Sequence, residues 1–251
     1  MTRENREYTM CRMMAVASQH KMSKLWFDDF QKLARDGRVA TGMTPHHDSG
    51  WGIAGYLGHW AVHFGRSEKS AITDIDNFNG ASTKAVNAGS RILLSHVRKS
   101  TEGSISLTNT HPFIYKDWIF CHNGSIHNAD RLVLPGFEYE GTTDSERFFK
   151  FLANRLERKP VMEYENIIRA VVAEVKDLCS YSSLTFLLAN RGYLIAYRDF
   201  AEQEQYYTLF YAPVNSGGMI VCSEPLPGFE WNEISNGELL TVDWTAGSFL
   251  V

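Results

Sequence analysis

Apolar positions along this chain fall mostly in short continuous runs, and only three stretches space them at helical period. Runs at 8–17, 51–56, 60–64, 92–97 and 118–122 predict strands in the first half. Runs at 184–188, 193–197, 206–211, 219–222 and 239–242 predict strands in the second. Turns near Gly58 and at Asn190-Arg191-Gly192 suit hairpins between neighbouring runs. Helices are predicted at 22–35, where Leu25, Trp26, Phe30 and Leu33 share a side, and at 144–156. A third is predicted at 164–178, with Ile167, Ile168, Val171, Val172 and Val175 as its stripe. Strands, then helices, then strands in hairpin-like succession point to an α+β fold. Antiparallel sheets covered by helices fit that order better than a doubly wound parallel sheet.

Composition narrows the function classes without selecting one. The chain has 251 residues, 44% hydrophobic and 22% charged, which suits a globular protein with a sizeable core. A formal net charge of −4 gives no general attraction to nucleic acid or an anionic membrane. No apolar run reaches the roughly 18 residues of a membrane span. The polar start of the chain lacks a signal-peptide core, so the expected location is cytoplasmic. The cysteines Cys11, Cys121, Cys179 and Cys222 are scattered with no CxxC pair. That spacing argues against a disulfide framework or a zinc ribbon, and leaves a reduced cysteine available for catalysis. No repeat, low-complexity stretch or Pro/Gly-rich linker divides the chain.

Five polar clusters break the apolar pattern. They are Met10-Cys11-Arg12, the stretch from Ser95 to Thr101, Asn109-Thr110-His111-Pro112-Phe113, Cys121-His122-Asn123-Gly124, and the stretch from Gly141 to Glu146. Reactive groups concentrate at such strand ends and loops, where a scaffold can present them. Taken with His47-Asp48-Ser49-Gly50-Trp51-Gly52 and Cys222-Ser223-Glu224-Pro225-Leu226, these clusters resemble in order and character the class II glutamine amidotransferases. Their order and character match the small stand-alone branch of that family, which carries no attached synthase. The resemblance covers nearly the whole chain. It implies a four-layer αββα sandwich of two antiparallel sheets flanked by helices, the fold of the N-terminal-nucleophile hydrolases. It also implies hydrolysis of the γ-amide of glutamine or a γ-glutamyl compound through a Cys11 thioester, with no metal or organic cofactor.

The resemblance assigns roles that suit the residue types. Cys11 is the nucleophile, and the family's base is the α-amine of that same cysteine. A thiol titrating near ~8.5 needs such a base, and a free amine titrating near ~8 can serve. A peptide nitrogen cannot, because its lone pair is delocalised. Residues 1–10 therefore form an extension ahead of the expected amidotransferase domain, 11–251. Three explanations stand: translation from Met10 with removal of that methionine, cleavage of a propeptide, or an inactive chain. Arg98 would hold the substrate α-carboxylate with its planar fork, and Asp144 the α-ammonium. Ser100 and Thr101 would add contacts beside Arg98, at a pocket wall where Lys99 replaces an aromatic found in some relatives. The Asn123 side-chain amide and the Gly124 backbone N–H would form the oxyanion hole. His111 would line the substrate pocket.

Each residue also has a plain structural reading: Cys11 as a core cysteine, Arg98 in a salt bridge, Asn123-Gly124 as a hairpin turn, Asp144 as a helix N-cap. The His47–Gly52 stretch, with Ser49 as an insertion relative to the family pattern, reads as packing near the nucleophile. Ser223-Glu224-Pro225 has no assigned role. One rival is a metal-dependent hydrolase using His46, His47 and Asp48 with His111 or His122. Another is a non-catalytic binding or regulatory protein with a blocked Cys11 amine. Within the enzyme reading the ammonia acceptor is open: a separate synthase partner, or none if the substrate is a larger γ-glutamyl compound. Loops in the 65–80 region are expected to set the leaving-group side.

Overall fold

The computed structural model describes residues 11–39, 46–100, 104–214, 217–244 and 248–250. Its first half runs β1 (Arg12–Ser18), α1 (Lys24–Asp36), β2 (Trp51–Leu57), β3 (Trp60–Ser67), α2 (Ile75–Asn87), β4 (Ile92–Val97), β5 (Phe113–Tyr115), β6 (Trp118–Asn123) and β7 (Ile126–His127). It continues with α3 (Asp144–Leu156), α4 (Tyr164–Leu178), β8 (Ser180–Tyr181), β9 (Thr185–Ala189), β10 (Tyr193–Tyr197), β11 (Phe210–Pro213), β12 (Gly218–Cys222), β13 (Asn232–Glu233), β14 (Leu239–Asp243) and β15 (Ser248–Leu250).

The strands build two main antiparallel sheets. One has seven strands in the order β13-β11-β12-β1-β4-β2-β3; the other has six, β15-β14-β10-β9-β6-β5. Alternation along the strands sorts three apolar layers. Met13, Ala15 and Ala17 of β1 and Leu94 of β4 meet Ile119, Cys121, Leu187 and Leu194 between the sheets. Met14, Val16 and Leu93 point the other way, onto Phe27 and Phe30 of α1 and Phe78, Ala81 and Ala85 of α2. On the far side Phe120, Phe186 and Leu188 pack against Phe148, Phe149 and Leu152 of α3 and Ile168, Val171, Val172 and Val175 of α4. The result is the four-layer αββα sandwich. Because both faces of each central strand are covered, these strands read as continuous apolar runs.

Three departures from the expected elements have physical causes. Helix α2 falls where a loop was expected. Its buried face is Phe78, Ala81, Ser82, Ala85 and Val86, a helical stripe in which three of five residues are alanine or serine. Residues 65–80 therefore belong largely to a strand end and this helix on the outer face of the seven-stranded sheet. Residues 68–74 of that stretch connect the two. The helix packs so closely on β3 that a Cβ at Gly65 would lie 2.5 Å from the Ala81 Cβ. The strand expected at 206–211 begins only at Phe210, because Tyr207 turns inward and its carbonyl accepts from Arg198 Nε at 2.9 Å. Short strands β5, β7, β8, β13 and β15 carry too few residues to show a period.

Candidate active site

The predicted catalytic residues converge at one end of the sandwich. Cys11 directly precedes β1, and the pairing of Arg12 with Val97 sets it beside Arg98, which follows β4. Asn123 ends β6 in the facing sheet, and Asp144 opens α3. The two sheets are joined here by the Cys11 backbone nitrogen, which donates to Asn123 Oδ1 at 2.9 Å. The Cys11 Sγ lies 3.5 Å from the Lys99 carbonyl oxygen.

Asn123 is fully buried, and its Nδ2 has no hydrogen-bond partner among the described residues. A buried amide donor left unmade costs about 1–3 kcal/mol, so its persistence calls for an explanation. Gly124 follows with φ +157°, where a Cβ would fall 2.1 Å from the Ser183 carbonyl oxygen. Only glycine fits between β6 and that backbone. The dipeptide is therefore the end of a buried strand and not the centre of a tight hairpin turn.

Arg98 is 4% exposed. Its backbone is clamped by the stretch before β2: Arg98 N donates to the Gly50 carbonyl at 2.8 Å, and Ser49 N donates to the Arg98 carbonyl at 3.0 Å. The inserted Ser49 thus extends the β2–β4 ladder to the arginine. Trp51 anchors the same stretch, donating from Nε1 to Asp74 at 3.1 Å and packing edge-on against Phe78. The Arg98 guanidinium reaches the Ser104 carbonyl at 3.4 Å and acts electrostatically on both Cys11 and Asp144.

Asp144 is the first residue of α3, and its neighbour Thr143 is the cap, accepting from Glu146 N at 3.2 Å. This frees the Asp144 carboxylate from capping. It accepts from Ile126 N at 2.6 Å and more loosely from the Ser145 hydroxyl at 3.4 Å. Burial pushes the Asp144 carboxyl pKa up and the Arg98 guanidinium pKa down. Burial also raises the Cys11 thiol, opposed by the positive charges of Arg98 and Arg12. The thiol therefore needs a base at neutral pH.

The histidines divide. His111 is buried and stacks on His96 with ring centroids 4.4 Å apart, and neither of its ring nitrogens has a hydrogen-bond partner among the described residues. Burial, reinforced by His96, holds its pKa well below the ordinary imidazole value. His122 points to the helix side, bonding Ser145 Oγ through Nδ1 at 2.9 Å and the Ser183 carbonyl through Nε2 at 3.0 Å. It ties the Asn123 strand to the Asp144 helix. His46 is exposed with Nδ1 3.1 Å from the Arg35 carbonyl, whereas His47 is buried. Among the described residues His46, His47 and Asp48 do not gather into a metal-ligand group. Ser100 is half-buried in the segment after β4. Thr101 and the extension 1–10 lie outside the described residues.

Sequence reasoning missed the ion pair between Arg12 and Glu224 beneath the nucleophile. An arginine inside an apolar run was the available signal, since a buried guanidinium needs a partner. It missed His96 as the stacking partner of His111 as well.

The chain matches the family model for class II glutamine amidotransferases over residues 10–217. An uncharacterised protein of Methanocaldococcus jannaschii is 26% identical over 257 residues, covering 92% of this chain and 68% of that protein. The fold is shared with a glutamine aminotransferase class-II domain protein from Silicibacter pomeroyi, with TM-score 0.59, 21% identity, and 93% and 95% of the two chains covered. It is also shared with glutamine phosphoribosylpyrophosphate amidotransferase from B. subtilis, with TM-score 0.66 and 18% identity. That match covers 93% of this chain but only 47% of the B. subtilis enzyme.

Proposed function

This chain belongs to the class II glutamine amidotransferases, and from that premise we propose that it hydrolyses the γ-amide of glutamine or a γ-glutamyl compound through a thioester on Cys11. In this reading residues 11–251 form one amidotransferase domain, and the working protein begins at Cys11, whose α-amine takes the thiol proton. The thiolate attacks the γ-carbonyl carbon, and the oxyanion receives Asn123 Nδ2 and the Gly124 backbone N–H. The amine then gives its proton to the leaving nitrogen as the C–N bond breaks. Water, deprotonated by the same amine, attacks the thioester, releasing glutamate and restoring the thiol.

Arg98 holds the α-carboxylate and Asp144 the α-ammonium. His111, Ser100 and Thr101 line the pocket. No metal or organic cofactor enters the scheme, and neither a nucleic acid nor a membrane is a partner. With glutamine as substrate, the released ammonia goes to a separate synthase partner. With a larger γ-glutamyl compound, the product is an amine.

The observation that carries this reading is the Asn123 amide. Its oxygen is engaged by the Cys11 nitrogen at 2.9 Å, and its nitrogen is buried without a partner among the described residues. That is the arrangement of a donor waiting for a substrate oxygen beside the nucleophile. The test compares protein beginning at Cys11 with protein retaining residues 1–10, assayed for glutamate release from glutamine and γ-glutamyl amides. Activity is expected only when the amine is free and Cys11 is present. Full activity in Cys11→Ala, or in a chain with a blocked amine, contradicts the scheme. Binding of glutamine without turnover by the chain beginning at Cys11 would favour a binding module instead.

A further inference from the structure

The Ser223-Glu224-Pro225 motif and Arg12 meet directly beneath the nucleophile. Strand β12 pairs with β1 as far as Cys222 opposite Met14. One residue later the ladder is closed from both sides: Ser223 N donates to the Met13 carbonyl at 2.9 Å, and Met13 N donates to Ser223 Oγ at 3.0 Å. A side-chain acceptor thus replaces the next backbone one. The Ser223 carbonyl is bonded by the Thr208 hydroxyl at 2.7 Å. This fixes Glu224, which accepts on Oε1 from Arg12 Nε and from Arg38 N, the latter at 2.7 Å. The Arg12 side chain is 1% exposed. Its Nη2 donates to the Arg38 carbonyl, and its Nη1 donates to the Cys11 carbonyl oxygen at 2.9 Å.

We propose that Glu224 is a positioning residue for the nucleophile, acting through Arg12, which holds the Cys11 carbonyl. The inference rests on the Cys11 mechanism above. A chain-terminal residue has one peptide bond, so the neighbouring chain restrains it from one side only. Three contacts then define Cys11: Asn123 on its nitrogen, the Lys99 carbonyl near its sulfur, and Arg12 on its carbonyl. The first comes from the facing sheet, the second from the segment after β4, and the third from the next residue, at the start of β1. Without it the residue can turn about its Cα–C bond, and amine and thiolate lose their common aim at the γ-carbonyl. A buried guanidinium that has lost its counter-charge does not keep a single orientation, because burial disfavours the unpaired charge.

The test uses Glu224→Gln, which keeps shape and one acceptor, and Arg12→Lys, which keeps the charge but not the fork. The rate of Cys11 alkylation by iodoacetamide against pH, mapped by peptide mass, is measured on protein beginning at Cys11, where the residue is chain-terminal. Hydrolysis is measured on protein beginning at Cys11, and folding by thermal unfolding. Both variants are expected to fold, to show an altered alkylation pH profile, and to lose roughly 10- to 100-fold in kcat with KM within about twofold. Glu224→Asp is expected to recover part of the loss. Folded variants with the parental alkylation profile and kcat overturn the proposal. Loss of the folded state in both would assign the pair to stability alone and overturn it as well. If the parental protein itself hydrolyses no γ-amide, the mechanism fails, and the alkylation profiles still read the positioning independently.

Discussion

At Asn123 one side chain serves two purposes through its two ends, and this divides the expected consequences of changing it. Removing the amide with Asn123→Ala should lower kcat by about 10²–10³ and leave KM nearly unchanged, because the donor acts on the oxyanion and not on bound substrate. Arg98→Lys should do the reverse. A bidentate grip on the α-carboxylate becomes a point contact, so KM rises, with a loss of roughly tenfold or more in kcat/KM. Steady-state kinetics on the two variants separates these effects. An unchanged KM in Arg98→Lys would remove Arg98 from substrate binding. At this scale the sequence singled out Cys11, Asn123, Arg98 and Asp144 through the family resemblance, and the structure sets the first beside Asn123 and Arg98. Arg12 in an apolar run signalled a buried partner, but the partner's identity was not legible, since Glu224 stands 212 positions away.

Elements were readable where large apolar residues mark the period. Helices α3 and α4 appear at the predicted 144–156 and 164–178, and the strand at 92–97 is β4. Helix α2 was not, because alanine and serine fill most of its stripe beside Phe78 and Val86, and Gly80 lowers its helix propensity. The cap of α3 illustrates how an element can free a functional group. Sequence offered Asp144 as the cap, but Thr143 takes that work and the Asp144 carboxylate accepts from Ile126 N while interacting electrostatically with Arg98. Thr143→Ala should therefore cost about 1 kcal/mol of stability. It should also draw Asp144 toward the vacated N–H groups and raise KM. Urea unfolding alongside kinetics checks both effects. A stability loss with unchanged KM would mean that Asp144 keeps its place without the threonine.

The whole molecule places its site where both sheets end, and it buries histidines there. Burial, with the charge of Arg98, holds His96 down to about 3, and burial holds His122 down to about 4. An unfolded histidine titrates near ~6.5. Below that value the unfolded chain binds protons that the folded one does not, so this contribution is complete above about pH 6.5 and fades toward pH 4. Each such histidine should weaken the fold by up to about 1.4 kcal/mol per pH unit in that window. Urea midpoints between pH 7 and 4.5 should fall accordingly, and His96→Gln should flatten the slope; an equal slope in both would refute it. Antiparallel sheets covered by helices were legible from element order and the four-layer αββα arrangement from the family resemblance, whereas the histidine stack was not, because it forms between β4 of one sheet and the segment that leads into β5 of the other. The central claim, that Cys11 forms the acyl-enzyme, is tested most directly by acid-quenching protein that begins at Cys11 during turnover of glutamine and mapping adducts by mass. A γ-glutamyl group on the Cys11 peptide, missing in Cys11→Ala, is the expected result. Turnover with no adduct on that peptide, or turnover that survives Cys11→Ala, would contradict it.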